Sequence, residues 1–343
     1  MFSKLLAKKV SLQEKHLTYD IDHIITNITN MFLALNTKLK KKYVFNFVHD
    51  IFHAPQFDKT ICTDKTICDN QYHNIHHTYE VVQMVACILS NTKLKKILSP
   101  FERTILLVVA TCHDFGHNGL SNNDWDEGSI KKQKARISSI FSSNSMGEEV
   151  EENTLSNSPR NSIICSSTDE CLLCGMNVSK SYNELMHFEL SMDIVLKHKK
   201  KILEDKPDTE ILHLLSLMII ETDLRKHEEY MQKEKTSNLD MMILVLKLSD
   251  ISHIMRPFPV HLYWVYSLVQ ESRIHHIHHI HRKEVPTVEY MVFDTIRFGK
   301  KFVGDMLGII ISIFPDFPPA LKANYEANLN IWESYIKKLE IQF

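Results

Sequence analysis

Two histidines four residues apart, His73 and His77, sit in the run Tyr-His-Asn-Ile-His-His-Thr-Tyr-Glu-Val-Val-Gln from Tyr72 to Gln83. On a helix they share a stripe with Val81, Met84 and Ile88, because residues three or four apart lie on one face. His76 falls off that stripe beside Glu80, so His73 and His77 are the pair expected to point inward. Burying two imidazoles costs free energy unless they are hydrogen-bonded or hold a metal. Alone, the pair reads as satisfied core histidines. With the carboxylates Asp114, beside His113, and Asp250 delivered by two buried helices further along the chain, the pair makes up a ligand set of His, His, Asp and Asp. Mixed nitrogen and carboxylate donors suit zinc or a harder divalent ion, and a shared carboxylate suits two ions about 3.5–4 Å apart.

The elements that must position these groups are helices. Ser99-Pro100-Phe101-Glu102 carries Ser at the cap, Pro at the first helical position and Glu three after the cap. Thr104 to Cys112 is then apolar nearly all round, so the helix is expected to be buried and to deliver His113 and Asp114 to the interior before Gly116 and Gly119 break it. An ionised Asp there needs a cation or several donors, and His117, Asn118 and Asn122 are candidates to support it. A second buried helix, Leu239 to Asp250, is apolar from Met241 to Leu248 apart from Lys247 and also ends in a carboxylate. Further helical patterns cover Ile21 to Leu35, Tyr182 to Leu196, Thr209 to Lys226 and Pro319 to Leu339.

The chain has 343 residues, enough for a sizeable core, and is expected to form one all-α domain over 1–343. Gly occurs only 8 times, so turn punctuation is scarce. A net charge of −2, from 40 basic and 42 acidic residues, gives no global attraction to nucleic acid or to an anionic membrane. The apolar runs Ile105 to Cys112 and Met306 to Phe314 fall well short of the roughly 20 residues of a spanning helix. Seven cysteines, an odd number in mostly helical contexts, argue against a secreted disulfide framework and for a reducing compartment. A cytoplasmic location is therefore expected, either for a soluble protein or for the cytosolic part of a longer membrane protein. Residues 126–180 differ in composition, with ten serines between Ser138 and Ser167, an acidic patch at Glu148 to Glu152 and little apolar periodicity. They read as a Ser-rich insertion expected to be disordered. Its Cys171-x-x-Cys174 lacks a fourth ligand at zinc spacing. The histidine run His275 to His281 reads as low-complexity surface.

Taken together, the motifs resemble those of the class I 3′,5′-cyclic nucleotide phosphodiesterase catalytic domain. The family's Tyr-His-x-x-x-His maps onto Tyr72, His73 and His77; its His-Asp-x-x-His-x-Gly-x-x-Asn onto His113, Asp114, His117, Gly119 and Asn122; and the Asp of its Asp-Ile-Ser onto Asp250. Glu184, His187 and Thr222-Asp223 match less closely, and the resemblance covers about residues 45 to 335. It implies a helical fold of the His-Asp metal-dependent phosphohydrolase superfamily. Zinc would be held by His77, His113, Asp114 and Asp250, and magnesium or manganese by Asp114 and mostly water. Hydroxide activated by the two ions would attack phosphorus in line, with His73 as the general acid protonating the leaving 3′ oxygen. Asn74, His117, Glu184, His187 and Thr222 would support the ligands or orient water. The product would be the 5′-monophosphate, and a regulatory domain or homodimer is a further expectation. A non-catalytic nucleotide-binding relative, or another His-Asp phosphohydrolase, is the alternative.

The expected base pocket departs from the family. Register from Asp250 puts His253, Pro257, His261, Trp264 and Leu268 along its wall, with an aromatic at Trp264 as the family has. Glu289 falls where the family's purine-reading glutamine belongs, and Val292 where a stacking Phe belongs. No other register supplies a glutamine, since Gln342 is the only one after Gln270. A carboxylate only accepts, so it would take hydrogen bonds from guanine N1–H and N2–H₂, which leans the expected substrate toward cGMP over cAMP.

Overall fold

The chain folds around two capped, buried helices whose C-terminal ends meet. The structure, a computed structural model, describes residues 19–54, 70–119, 121–122, 181–275 and 288–340, without the side chains of 273–275, 288–289 and 338–340. The Ser-rich stretch 126–180, five of the seven cysteines and most of the His275 to His281 run lie outside them. Among the described residues there are helices and turns and no strand.

The first two helices are α1 (Ile21–Leu35) and α2 (Lys41–Phe52), with the lysines of the basic run Lys38 to Lys42 exposed over the turn between them and the start of α2. Next come α3 (Ile75–Asn91) and α4 (Pro100–Cys112). As expected, Ser99 accepts from the Glu102 amide at 3.1 Å while Glu102 accepts from the Ser99 amide at 2.7 Å, closing a capping box. Every residue from Thr104 to Cys112 is buried. Arg103 donates to the carbonyls of Leu35, Lys95 and Leu98, joining the end of α1 to the segment that leads into α4.

After the undescribed segment, α5 (Tyr182–Ile202) and α6 (Asp208–Ile220) pack on each other, and α7 (Asn238–Asp250) starts from a second capping box, Ser237 with Asp240. Lys247, the one charge in its apolar run, is buried and donates to the Glu221 carbonyl at the end of α6. There it meets the negative end of the helix dipole, and burial lowers its pKa. Helix α3 packs against both α4 and α7, which fixes the relation of the histidine helix to the two carboxylate-bearing ends.

The chain closes with α8 (Phe258–His275), α9 (Val288–Phe298), α10 (Asp305–Ile313) and α11 (Pro319–Glu340). Leu321, Leu329 and Trp332 of α11 are buried, as its spacing requires. Among the described residues the apolar interior falls into one large cluster and a small one of Leu262, Val265, Val292 and Trp332 from α8, α9 and α11. No helix among the described residues is long and apolar enough to cross a membrane.

Candidate active site

Helix α3 begins at Ile75, three residues later than the motif suggests. Asn74 is its N-cap, accepting from the amides of His76 and His77 at 2.9 and 3.2 Å. Asn74 thus supports His77 through its backbone amide, and one expectation is corrected: His73 precedes the helix instead of sharing its stripe. His77, Val81, Met84 and Ile88 do form one buried face.

His77 Nε2 lies 3.1 Å from Asp250 Oδ1 and 3.4 Å from Asp114 Oδ2. His113 Nε2 lies 3.3 Å from Asp114 Oδ2 and 3.4 Å from Asp250 Oδ1. One donor atom from each of the four residues falls within 4.8 Å of every other. His113 Nδ1 donates to the Ala110 carbonyl at 2.9 Å, so its Nε2 is the free nitrogen. That Nε2 and Asp114 Oδ2 are buried without a hydrogen-bond partner, which is the condition a cation would relieve. Burial would lower the His113 pKa, but the adjacent Asp114 and Asp250 charges raise it well above the ordinary value. Burial would likewise raise the Asp114 carboxyl, and the His113 charge holds it well below the carboxylate range. Two carboxylates in this space need positive charge, from imidazolium or from a metal, and the donor set fits a divalent metal.

His73 reaches the same place by a different route. Its Nδ1 forms a short contact with a Glu271 carboxylate oxygen, and Glu271 Oε2 accepts from the amides of Tyr72 and His73 at 2.8 and 3.0 Å. Burial pulls the His73 pKa down, yet the Glu271 charge overrides it and raises the group to about 9; Glu271 is held at about 2 by His73 against its own burial. The sequence reading missed Glu271. Its signal was the spacing Trp264, Leu268, Glu271, which continues one face of α8. Asn70 was missed as well: its amide donates to the His73 and His117 carbonyls at 3.1 and 2.6 Å and ties the two loops together. Gly119 sits at φ +78, and a Cβ there would come within 2.9 Å of Asn70 Oδ1, so this crossing requires glycine.

The supporting residues differ in what they do. The His117 ring stacks on His73 at 4.0 Å, and burial with the nearby His73 charge keeps it neutral. His187 donates from Nδ1 to the Phe115 carbonyl at 2.8 Å and sets Nε2 3.9 Å from Asp114; burial lowers its pKa to about 4. Glu184 accepts from Asn122 at 2.8 Å, and burial with the Asp223 charge raises it to about 7. Thr222 turns its hydroxyl back to the Ile219 carbonyl at 2.7 Å, toward its own helix end.

The expected base wall is only partly assembled. A cavity lined by His77, Glu80, Val81, Ser249, Asp250, Ser252, His253 and Trp264 joins the four-donor cluster to that wall. Trp264 stands edge-on to Tyr72 and His77 at 5.5 and 5.8 Å between ring centres. Three placements correct the expected wall. His261 is fully buried behind His253, Leu268 is 37% exposed and outside the cavity lining, and Val292 packs with Leu262, Val265 and Trp332, because α9 lays that face against α11. The Glu289 side chain lies outside the described part.

Comparison with known proteins agrees with this geometry. The 3′5′-cyclic nucleotide phosphodiesterase family model matches residues 72–148 and 169–320, and the chain belongs to that family. It is 25% identical over 214 residues, 59% of its length, to a Dictyostelium discoideum protein described as cGMP-specific 3′,5′-cGMP phosphodiesterase 3. It is 21% identical over 289 residues, 80% of its length, to mouse high affinity cGMP-specific 3′,5′-cyclic phosphodiesterase 9A. These matches span 38% and 46% of the two relatives. The fold is that of the phosphodiesterase domain of Salpingoeca rosetta rhodopsin phosphodiesterase, with a TM-score of 0.65 and 16% identity over 95% of this chain and 92% of that one.

Proposed function

We propose that the chain is a metal-dependent 3′,5′-cyclic nucleotide phosphodiesterase that forms the 5′-monophosphate. The observation that carries this reading is the four-donor cluster of His77, His113, Asp114 and Asp250 in one site with the His73–Glu271 pair. Zinc with magnesium or manganese, bound there, would supply an activated water and neutralise charge developing on the phosphoryl oxygens.

The chain's own residues do the rest. His73, charged at neutral pH because of Glu271, carries the proton that the leaving 3′ oxygen needs. Glu271 fixes the ring through Nδ1, which turns Nε2 toward the substrate. His117, neutral and stacked on His73, restricts that ring without competing for the proton. His187 and Glu184 stand beside Asp114 and Asn122 as orienting groups. Trp264 offers an aromatic edge to the base end of the cavity. We favour cGMP as the better substrate: the carboxylate of Glu289 can only accept, and the two relatives described above are named for cGMP.

The test is hydrolysis of cGMP and cAMP by the purified chain with magnesium or manganese, beside His73→Ala and Asp250→Ala. Turnover lost in both variants supports the assignment, and a higher kcat/KM for cAMP would overturn the preference for cGMP. No turnover by protein loaded with metal would move the reading to a nucleotide-binding relative.

A further inference from the structure

Behind the cavity, three side chains form a line that the proposed chemistry does not use. Trp332 Nε1 on α11 donates to His261 Nε2 at 2.7 Å, and His261 Nδ1 meets His253 Nδ1 at 2.9 Å, the two imidazoles stacking 5.1 Å apart. Indole N–H can only donate, so His261 Nε2 must accept. A neutral His261 then carries its proton on Nδ1. Because a hydrogen bond between two nitrogens needs one donor, His253 Nδ1 must accept in turn. The His253 proton therefore sits on Nε2, and no other described group meets that nitrogen. Both rings are held neutral: burial lowers His253 to about 3, and burial with the adjacent His253 lowers His261 well below the ordinary value.

The turn that carries His253 is fixed from the same helix. Asn328 donates to the Ile254 and Arg256 carbonyls at 2.7 and 2.8 Å, and Asn324 to the Met255 carbonyl at 3.1 Å. His253 lines the cavity beside Trp264, with the metal-ligand candidates His77 and Asp250 on the same surface. A fixed N–H donor on that wall selects for an acceptor on the ligand. Purine N7 is an acceptor in both adenine and guanine, and in guanine the neighbouring O6 is one too, whereas adenine has the N6 amino donor there.

We propose that Trp332 and His261 are positioning residues that lock His253 as an Nε2–H donor, and that His253 reads purine N7 in the bound cyclic nucleotide. The proposal rests on the phosphodiesterase reading for its ligand but not for its tautomer. Nitrogen-15 correlation spectra of the metal-loaded full chain should find the His253 proton on Nε2 and, in Trp332→Phe, a mixture of the two tautomers. In turnover, Trp332→Phe should raise KM for cGMP about fivefold, the size of one hydrogen bond, with kcat nearly unchanged. The 7-deaza analogue of cGMP, which lacks the N7 acceptor, should show a similarly raised KM with the native chain and no further rise with Trp332→Phe.

A His253 proton on Nδ1 in the native chain overturns the lock, and that measurement stands even if Trp332→Phe fails to fold. An equal rise in KM for cGMP and its 7-deaza analogue in the variant overturns the N7 reading. Absence of turnover with every cyclic nucleotide would instead sink the phosphodiesterase reading, leaving the tautomer result to judge the lock by itself.

Discussion

The two walls of the cavity are built on different plans. On the metal-facing wall, His77 stands on α3, His113 and Asp114 follow α4, and Asp250 ends α7, three helices packed within the large core. On the other wall, His253 sits in the short 3₁₀ turn Ser252–Met255 and Trp264 on α8, and the relay behind them ends on Trp332 in the small cluster. The first wall gathers opposite charges at buried helix ends, where position is set by backbone and core. The second presents neutral groups whose donor or acceptor character is set by a neighbour's hydrogen bond. Damage to the first should therefore remove turnover, and damage to the second should change what is bound and how well.

The largest effect should come from breaking the first wall. Asp250→Ala leaves His77 and His113 without one of their two carboxylate partners, and kcat should fall on the order of 10³-fold or more as metal is lost. Metal content by elemental analysis, measured beside activity, checks it; native metal content with lost activity would mean that Asp250 acts otherwise. His73→Ala comes next, with a fall of about 10²–10⁴ in kcat and metal content unchanged.

Glu271→Gln sharpens the comparison because it changes a charge and keeps the shape. His73 has its pKa raised to about 9, so the protonated form that donates is present below that value and is lost as pH rises through it. Without the carboxylate, His73 should titrate nearer its ordinary 6.5, and the alkaline limb of the kcat profile should move to lower pH. At pH 8 the loss in kcat should be about 10–100-fold, and it should shrink as pH is lowered. A kcat lowered by the same factor at every pH, with the alkaline limb left in place, would argue that Glu271 only holds the loop. The smallest effect should be Ser99→Ala, which removes the cap of α4 and should cost about 1 kcal/mol in a denaturation midpoint while leaving metal content intact.

The same division marks what could be read from the sequence. The capping box at Ser99, the apolar runs from Thr104 and from Met241 and the His-Asp and Asp ends were legible because each is a local pattern with one physical reading, whereas the box at Ser237 came only with the structure. Helix ends at His113 and Asp250 then follow from where those patterns stop. His73 was picked out for a reason the structure corrects, since Asn74 caps the helix and Glu271, 198 residues away, holds the imidazole. The base wall was least legible. Val292 and His261 are turned into packing by α9 and α11, contacts that no spacing rule within α8 or α9 contains. Asn70 was similarly hidden, because its role is a crossing of two loops, and Gly119, named by its motif, owes its place to that same crossing.

The central claim is that the metal-facing wall activates water for attack on a cyclic phosphodiester while His73 protonates the 3′ oxygen. Phosphorus-31 spectra of cGMP turned over in ¹⁸O-water test it most directly, using the chain stripped of metal and reloaded with zinc and magnesium. The account predicts 5′-GMP carrying one ¹⁸O on phosphorus, formed by the reloaded chain and lost in Asp250→Ala. A 3′-monophosphate product, or no product from protein verified to hold its metal, would contradict it.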